Sequence, residues 1–179
     1  MATVITSTYG TSTAITCSLH TTPLGSSATF ISGRESTEID NTSNKYVDAF
    51  VQGKVTVGTT PTANTTIAIY VWGADTSLAS LTYDQSNAVG LDLLTGTDSA
   101  VSLTNAGTLS MLKLGAAVGV TATTSNVTYP IPAFSVAALF GGVMPKFWGL
   151  YVAHNTGVAL NSTSTNHAFA YTGLTFTAT

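Results

Sequence analysis

The stretch Pro145-Lys-Phe-Trp-Gly-Leu-Tyr-Val-Ala-His154, followed by Asn155-Thr-Gly157-Val-Ala-Leu160, decides how the chain is read. As a strand it alternates its side chains, with Trp148, Leu150, Val152 and His154 on one face and Phe147, Gly149, Tyr151 and Ala153 on the other. Both faces are apolar, whereas an antiparallel strand with one wet side alternates apolar and polar. Pro145 suits a strand's first residue, and Asn155 and Gly157 close it with residues that accept positive φ at low cost. The stretch predicts a central strand covered twice, once by the domain core and once by a further layer, for which a neighbouring subunit is the candidate.

Working outward, Tyr46–Val57 places Val47, Ala49, Val51, Gly53, Val55 and Val57 on one face and Asp48, Gln52, Lys54 and Thr56 on the other. Gly53 marks either a bulge or the close approach of another backbone. After the loop 58–64, Thr65–Trp72 sends Thr65, Ile67, Ile69 and Val71 inward and Thr66, Ala68, Tyr70 and Trp72 outward. These two strands are expected to pair as a hairpin. Short β-prone pieces occur at 3–8, 14–17 and 28–31, the last ended by Ser32-Gly33. A strand is expected over Leu109–Leu114, ended by Gly115 and continued at 117–123; 126–132 is extended by its prolines, and 166–177 is a final strand. Residues 77–108 are too rich in Ser, Asn, Asp and Gly for regular structure beyond short pieces at 78–83 and 100–103, and a connection of that length is functional or packed on a partner. Ser135 caps one short helix over 136–140, stopped by Gly141-Gly142.

Roughly eight strands and one short helix near 135–140 make an all-β, antiparallel sandwich, either jelly-roll or immunoglobulin-like. Residues 1–25 read as an extended N-terminal arm and 26–179 as a single sandwich domain.

Charge is the unusual feature. The 179 residues carry 5 basic and 8 acidic side chains, 7% of the chain, against about 25% in ordinary domains. Threonine is the commonest residue in their place, β-branched and equipped with its own hydrogen-bonding group. Five scattered basic residues exclude an electrostatic grip on nucleic acid. No stretch is apolar for long enough to span a membrane as a helix, since Ser135–Met144 is interrupted at Pro145 and Lys146. Met1-Ala-Thr-Val lacks the basic start and apolar run of a signal peptide, so cytoplasmic synthesis is expected. Arg34–Asp48 gathers six of the charges and reads as a solvated loop, with a polar rim against a partner as the sharper alternative.

Chemistry is not advertised. Cys17 is the only cysteine, read as a small buried apolar side chain. His20, His154 and His167 show no metal-ligand spacing, and His154 reads as a hydrogen-bonded structural residue. No G-x-S-x-G elbow occurs, and Glu35 and Glu38 fall in the charged loop. The four N-x-[ST] sequons at Asn41, Asn64, Asn126 and Asn161 are chance products of a Ser/Thr-rich composition. No catalytic residue, metal or cofactor is therefore expected, nor an enzyme. What rises above background is aromatic area on non-core strand faces: Phe50, Tyr70, Trp72, and Phe147 or Tyr151, a candidate subunit or particle interface. The alternative is that a loop or the arm covers them within the monomer. Pro145, Trp148, Asn155 and Gly157 are the structural positions of the organising strand and its turn.

Two pieces carry a resemblance: Tyr46–Gly58 with Ile67–Trp72, and Phe134–Gly142 continued through Pro145–Leu160. Together they resemble small virion proteins of tailed bacteriophages, of the head decoration or cement type. The likeness covers about half the chain and is structural, without an active-site motif; the charged loop and 84–108 lie outside it. It implies a jelly-roll-like sandwich, a homotrimer, bound to the major capsid protein on the outer capsid surface of the virion, which it stabilises. The arm is then the candidate for reaching a neighbour or the shell, and deleting residues 2–20 is expected to release the protein while leaving it folded. The rival readings are a receptor-binding or fibre module using Trp72 or Tyr70 as stacking platforms for a glycan, and a jelly-roll subunit that builds its own shell.

Overall fold

The computed structural model describes residues 4–78, 94–103 and 112–178. Eleven strands lie in these segments: β1 (Ile5–Tyr9), β2 (Thr13–Ile15), β3 (Ser32–Glu35), β4 (Ile39–Asp40), β5 (Asp48–Thr56), β6 (Thr65–Ala74), β7 (Ser99–Ser102), β8 (Lys113–Val120), β9 (Thr128–Ser135), β10 (Phe147–His154) and β11 (Ala168–Ala178). One four-residue helix, α1 (Val136–Leu139), is capped by the Ser135 hydroxyl, which accepts from the Ala138 N–H at 3.0 Å. Gly141 and Gly142, at φ of 72° and 88°, end it.

The strands form two antiparallel sheets. One runs β1-β11-β5-β9, with β2 beside β1 on the same edge of β11; the other runs β7-β3-β10-β6-β8, with β4 beside β3 on the same edge of β10. Setting aside β1 and β7, the orders β2-β11-β5-β9 and β3/β4-β10-β6-β8 are those of an eight-stranded jelly roll, in which the chain repeatedly crosses between sheets. The fold is an all-β sandwich of jelly-roll type.

The expected β5–β6 hairpin does not exist. β5 pairs with β11 and β9 while β6 pairs with β10 and β8, so loop 57–64 crosses from one sheet to the other. Both strands bury a β-branched face, and that pattern is the same whether the two faces lie side by side or oppose each other across a core. Gly53 serves both roles open to it. The β5–β9 register shifts between Val51 and Gly53, and a Cβ at Gly53 would lie 2.5 Å from the Ala168 carbonyl oxygen. Gly115 does not end a strand: β8 runs through it, and the β6–β8 register shifts there as a bulge. Nor does a strand form at 28–31, because Phe30 takes φ 59° in a turn and β3 begins at Ser32, where a stop was expected. The pieces expected at 79–83 and 109–111 lie outside the described residues. β9 holds two prolines as an edge strand, where a missing N–H costs least.

Between the sheets lies the main core, built on Val51, Val55, Ile67, Ile69, Leu150 and Val152. Trp148 from one sheet meets Tyr171 from the other edge-on, ring centroids 5.4 Å apart at 80°. Ile15, Leu19 and Leu24 also enter this core, so residues 13–24 belong to the domain rather than to a free arm. A deletion of 2–20 would strip Ile15 and Leu19 from the core, contrary to the expectation that it leaves the fold intact.

β10 is central and buried on both faces, but its second cover is the chain itself. Trp72, Tyr151 and Ala153 pack under Leu78, Leu94, Val101, Leu103 and Leu112, forming a second apolar cluster on the far side of the sheet. Charged groups fasten that cover. Glu35, fully buried, accepts from the Thr95 N–H, Thr95 Oγ1, the Gly96 N–H and Ser99 Oγ at 2.8–3.1 Å. Arg34 Nε donates to Asp98 Oδ1 at 2.6 Å, and the Leu78 N–H donates to Glu38 Oε2 at 2.8 Å. The first part of the segment read as a solvated loop, Arg34 to Glu38, is instead an internal clamp, whereas Asp40 and Lys45 farther along it are exposed as expected.

Candidate functional site

The aromatic side chains proposed for an interface separate into three places. Trp72 and Tyr151, 2% and 0% exposed, are interior residues of the second cluster, so the alternative of cover within the monomer holds for them. The Tyr151 hydroxyl donates to the Phe30 carbonyl at 3.0 Å, and burial pushes its phenol pKa up. Tyr70 lies beside it, centroids 6.2 Å apart, half-buried and raised in pKa for the same reason. Phe147 begins β10, half-buried opposite Ala74 and Asp40. Phe50 sits alone of the five on the outer face of the other sheet, half-buried beneath Tyr9 at 6.0 Å.

Of the positions named for the organising strand and its turn, Pro145 lies ahead of β10, which begins at Phe147, and Asn155 and Gly157 follow its end at His154. Trp148 is fully buried, and Asn155 ties the end of β10 to β6, its Oδ1 accepting from the Thr66 N–H at 2.6 Å. Gly157 takes φ 79° and donates its N–H to Ser26 Oγ at 2.9 Å. The Pro145 ring lies against Gly73, where an added Cβ would meet it at 2.7 Å.

The Tyr9–Phe50 contact leads to the residues that sequence reasoning passed over. β1 pairs antiparallel with the C-terminal half of β11, Ile5 opposite Ala178, Ser7 opposite Phe176 and Tyr9 opposite Leu174. β5 begins only at Asp48, opposite Leu174, so these two strands continue past it as a two-stranded ribbon. Alternation gives the ribbon two unlike faces. Thr6, Thr8, Thr175 and Thr177 occupy one; Ile5, Tyr9, Leu174 and Phe176 occupy the other, continuous with Phe50. Ile5, Tyr9 and Phe176 are 69%, 63% and 58% exposed, among the most exposed large apolar side chains described. No charged residue stands in β1 or β11. The signal was present as alternation in Ala168–Ala178, but the burial of β11's other face, not its exposure, is what that pattern suggests first.

The remaining chemical groups are occupied structurally. His154 Nε2 lies 2.9 Å from the Leu24 carbonyl and Nδ1 2.9 Å from Thr156 Oγ1; burial lowers its pKa. His167 Nε2 lies 2.8 Å from the Asn161 carbonyl, and burial lowers it likewise. Burial, then the nearby Asp98, pushes the half-buried Cys17 thiol up, away from a reactive thiolate. Burial opposes ionisation of Asp98, but its bonds from Arg34 and Ser18 outweigh that and hold it below the usual aspartate range. A groove of about 240 Å³ opens between β2 and β4, lined by Thr13, Thr16, Thr37, Ile39, Asp40 and Tyr171. Among the described residues no group of three or more His, Cys, Asp and Glu side chains is placed to hold a metal ion, and no helix is long and apolar enough to cross a membrane.

Comparison of the chain with protein-family profiles, with curated proteins and with solved structures finds no match in any of the three.

Proposed function

We propose that the chain is a structural virion protein that binds the outer surface of an assembled phage capsid, through the major capsid protein, and stabilises the shell. The observation that carries this reading is the outer face of the uncharged β1–β11 ribbon and its junction with β5, where Ile5, Tyr9, Leu174, Phe176 and Phe50 form an apolar strip, flanked on β5 by Asp48 and Lys54. Exposed apolar strips of this kind on a folded domain mark contacts with other macromolecules. A strip without charge gains little from long-range steering and loses little to salt, which suits a broad contact with a repeating protein surface. A protein that binds only the assembled lattice adds its binding free energy to the stability of the shell, and many copies multiply a modest contact. The resemblance to head decoration proteins supports the same reading.

The fibre or receptor module is less favoured, because Trp72, one of its two stacking platforms, is buried. The self-assembling shell remains the outcome to be told apart by particle formation of the purified protein alone.

The test is co-sedimentation of purified protein with capsids lacking it, from the phage that encodes it, at low and high salt. Binding to assembled capsids that persists in high salt, and is lost in Phe176→Lys without a change in thermal unfolding, is expected. Absence of binding to capsids overturns the reading.

A further inference from the structure

We infer that β1 is an edge built to pair with β1 of a second copy, joining two molecules about a two-fold axis through Ser7. The inference stands apart from the capsid reading, which uses the apolar face of the ribbon rather than its edge.

The backbone geometry sets this up. The Gly10 N–H donates to the Gly173 carbonyl at 2.8 Å, so Gly10 points toward β11. In an antiparallel pair, residues alternate between exchanging hydrogen bonds with the partner strand and facing away from it. Thr8 and Thr6 therefore also bond to β11, while Ile5, Ser7 and Tyr9 direct N–H and C=O to the other side, where no strand lies among the described residues. Edge strands that stay single in natural sheets carry Lys, Pro, a bulge or inward charges. β1 carries none of these: its sequence is Ile-Thr-Ser-Thr-Tyr and its register with β11 is unbroken.

The edge is also self-complementary. An antiparallel β1–β1 pair centred on Ser7 sets Ile5 of each copy opposite Tyr9 of the other. All three outward-facing residues then exchange hydrogen bonds with outward-facing residues. Ile5 and Tyr9 lie on the same face of the ribbon, so each pair is a β-branched–aromatic cross-strand contact, a favourable type. With no charge on β1 or β11, two copies meet here without local repulsion despite a net charge of −3. A two-stranded ribbon past the end of its sheet is marginal alone, and a second copy makes it four-stranded, β11-β1-β1-β11. Edge pairing covers only the flanks of Ile5, Ser7 and Tyr9 and leaves the outer face of the ribbon largely open, so the joint area falls well below the ~1,200 Å² of a standard stable interface. The pairing is therefore a weak, concentration-dependent one.

Sedimentation velocity over a wide concentration series on the intact protein, with hydrogen exchange on the same samples, tests this. The mass should rise from 18.3 kDa toward twice that value as concentration increases. The Ile5, Ser7 and Tyr9 amides should gain protection with concentration while those of Thr6 and Thr8 stay protected throughout. Ser7→Pro removes an outward N–H and no bond to β11, so it should abolish the mass increase with an unchanged melting temperature. A protein monomeric at every concentration, a discrete trimer, a mass increase untouched by Ser7→Pro, or protection of the β1 edge appearing only when capsids are added would each overturn the inference.

Discussion

The Glu35 carboxylate holds Thr95 with both of its oxygens, Oε1 and Oε2 accepting from the Thr95 N–H at 3.0 and 3.1 Å, while Thr95 Oγ1 donates to Oε1 at 2.8 Å. Sixty residues separate the two, and the contact closes the loop that covers Trp72 and Tyr151. A fully buried glutamate is costly unless its oxygens are satisfied, and here Gly96 and Ser99 complete the set.

Glu35→Gln keeps the shape but turns an amide NH₂ toward donors that need an acceptor. It should cost about 2–4 kcal/mol, read as a lower midpoint in urea. A midpoint within error of the parent would show that the clamp contributes nothing to stability.

Both tryptophans are buried, and among the described residues their indole Nε1 atoms have no hydrogen-bond partner, which bears on fluorescence and on mutation. Emission should be blue-shifted in the native protein and insensitive to acrylamide, and should move to the red on unfolding. Trp148→Ala should cost about 3–5 kcal/mol, since it empties the contact with Tyr171. Trp148→Phe removes an unsatisfied donor along with some volume, so it should cost clearly less in the same denaturation assay.

Acid should weaken the fold through two histidines. Burial lowers the folded pKa of His154 and His167 below the ordinary 6.5. The unfolded chain therefore takes up protons first as pH falls. Their contribution is full above about 6.5 and is lost as pH drops through the folded values. The urea midpoint should decline from pH 7 toward pH 5, and His154→Gln should flatten that decline. Asp98, held below the usual aspartate range, adds a second loss only under more acidic conditions.

Gly53→Ala should destabilise although Gly53 does not take a left-handed φ. The new Cβ would meet the Ala168 carbonyl oxygen at 2.5 Å and the Phe169 ring at 2.6 Å, forcing β5 and β11 apart. A loss of about 1–3 kcal/mol is expected, typical of overpacking. The loss should be visible as a lower melting temperature; no change in melting temperature would mean that the β5–β11 spacing yields freely.

The sequence by itself determined the all-β class, the inward faces of β5 and β6, the doubly buried β10 and the Ser135 cap of α1, because each is written in local periodicity or in one side chain's reach along its own backbone. Only the tertiary structure decided which strands are neighbours. Val51 and Ile69 are apolar whether their strands pair in one sheet or oppose each other across a core, and here they oppose. It also decided what covers Trp72 and what Glu35 is for. Those answers depend on Thr95 returning to Glu35 from sixty residues away and on Leu94 folding back over Trp72, distances over which alternation carries no information. The exposed strip of Ile5, Tyr9 and Phe176 emerged the same way: its pattern is that of any half-buried strand, and it stays open because β5 begins at Asp48 and the two strands run on past it.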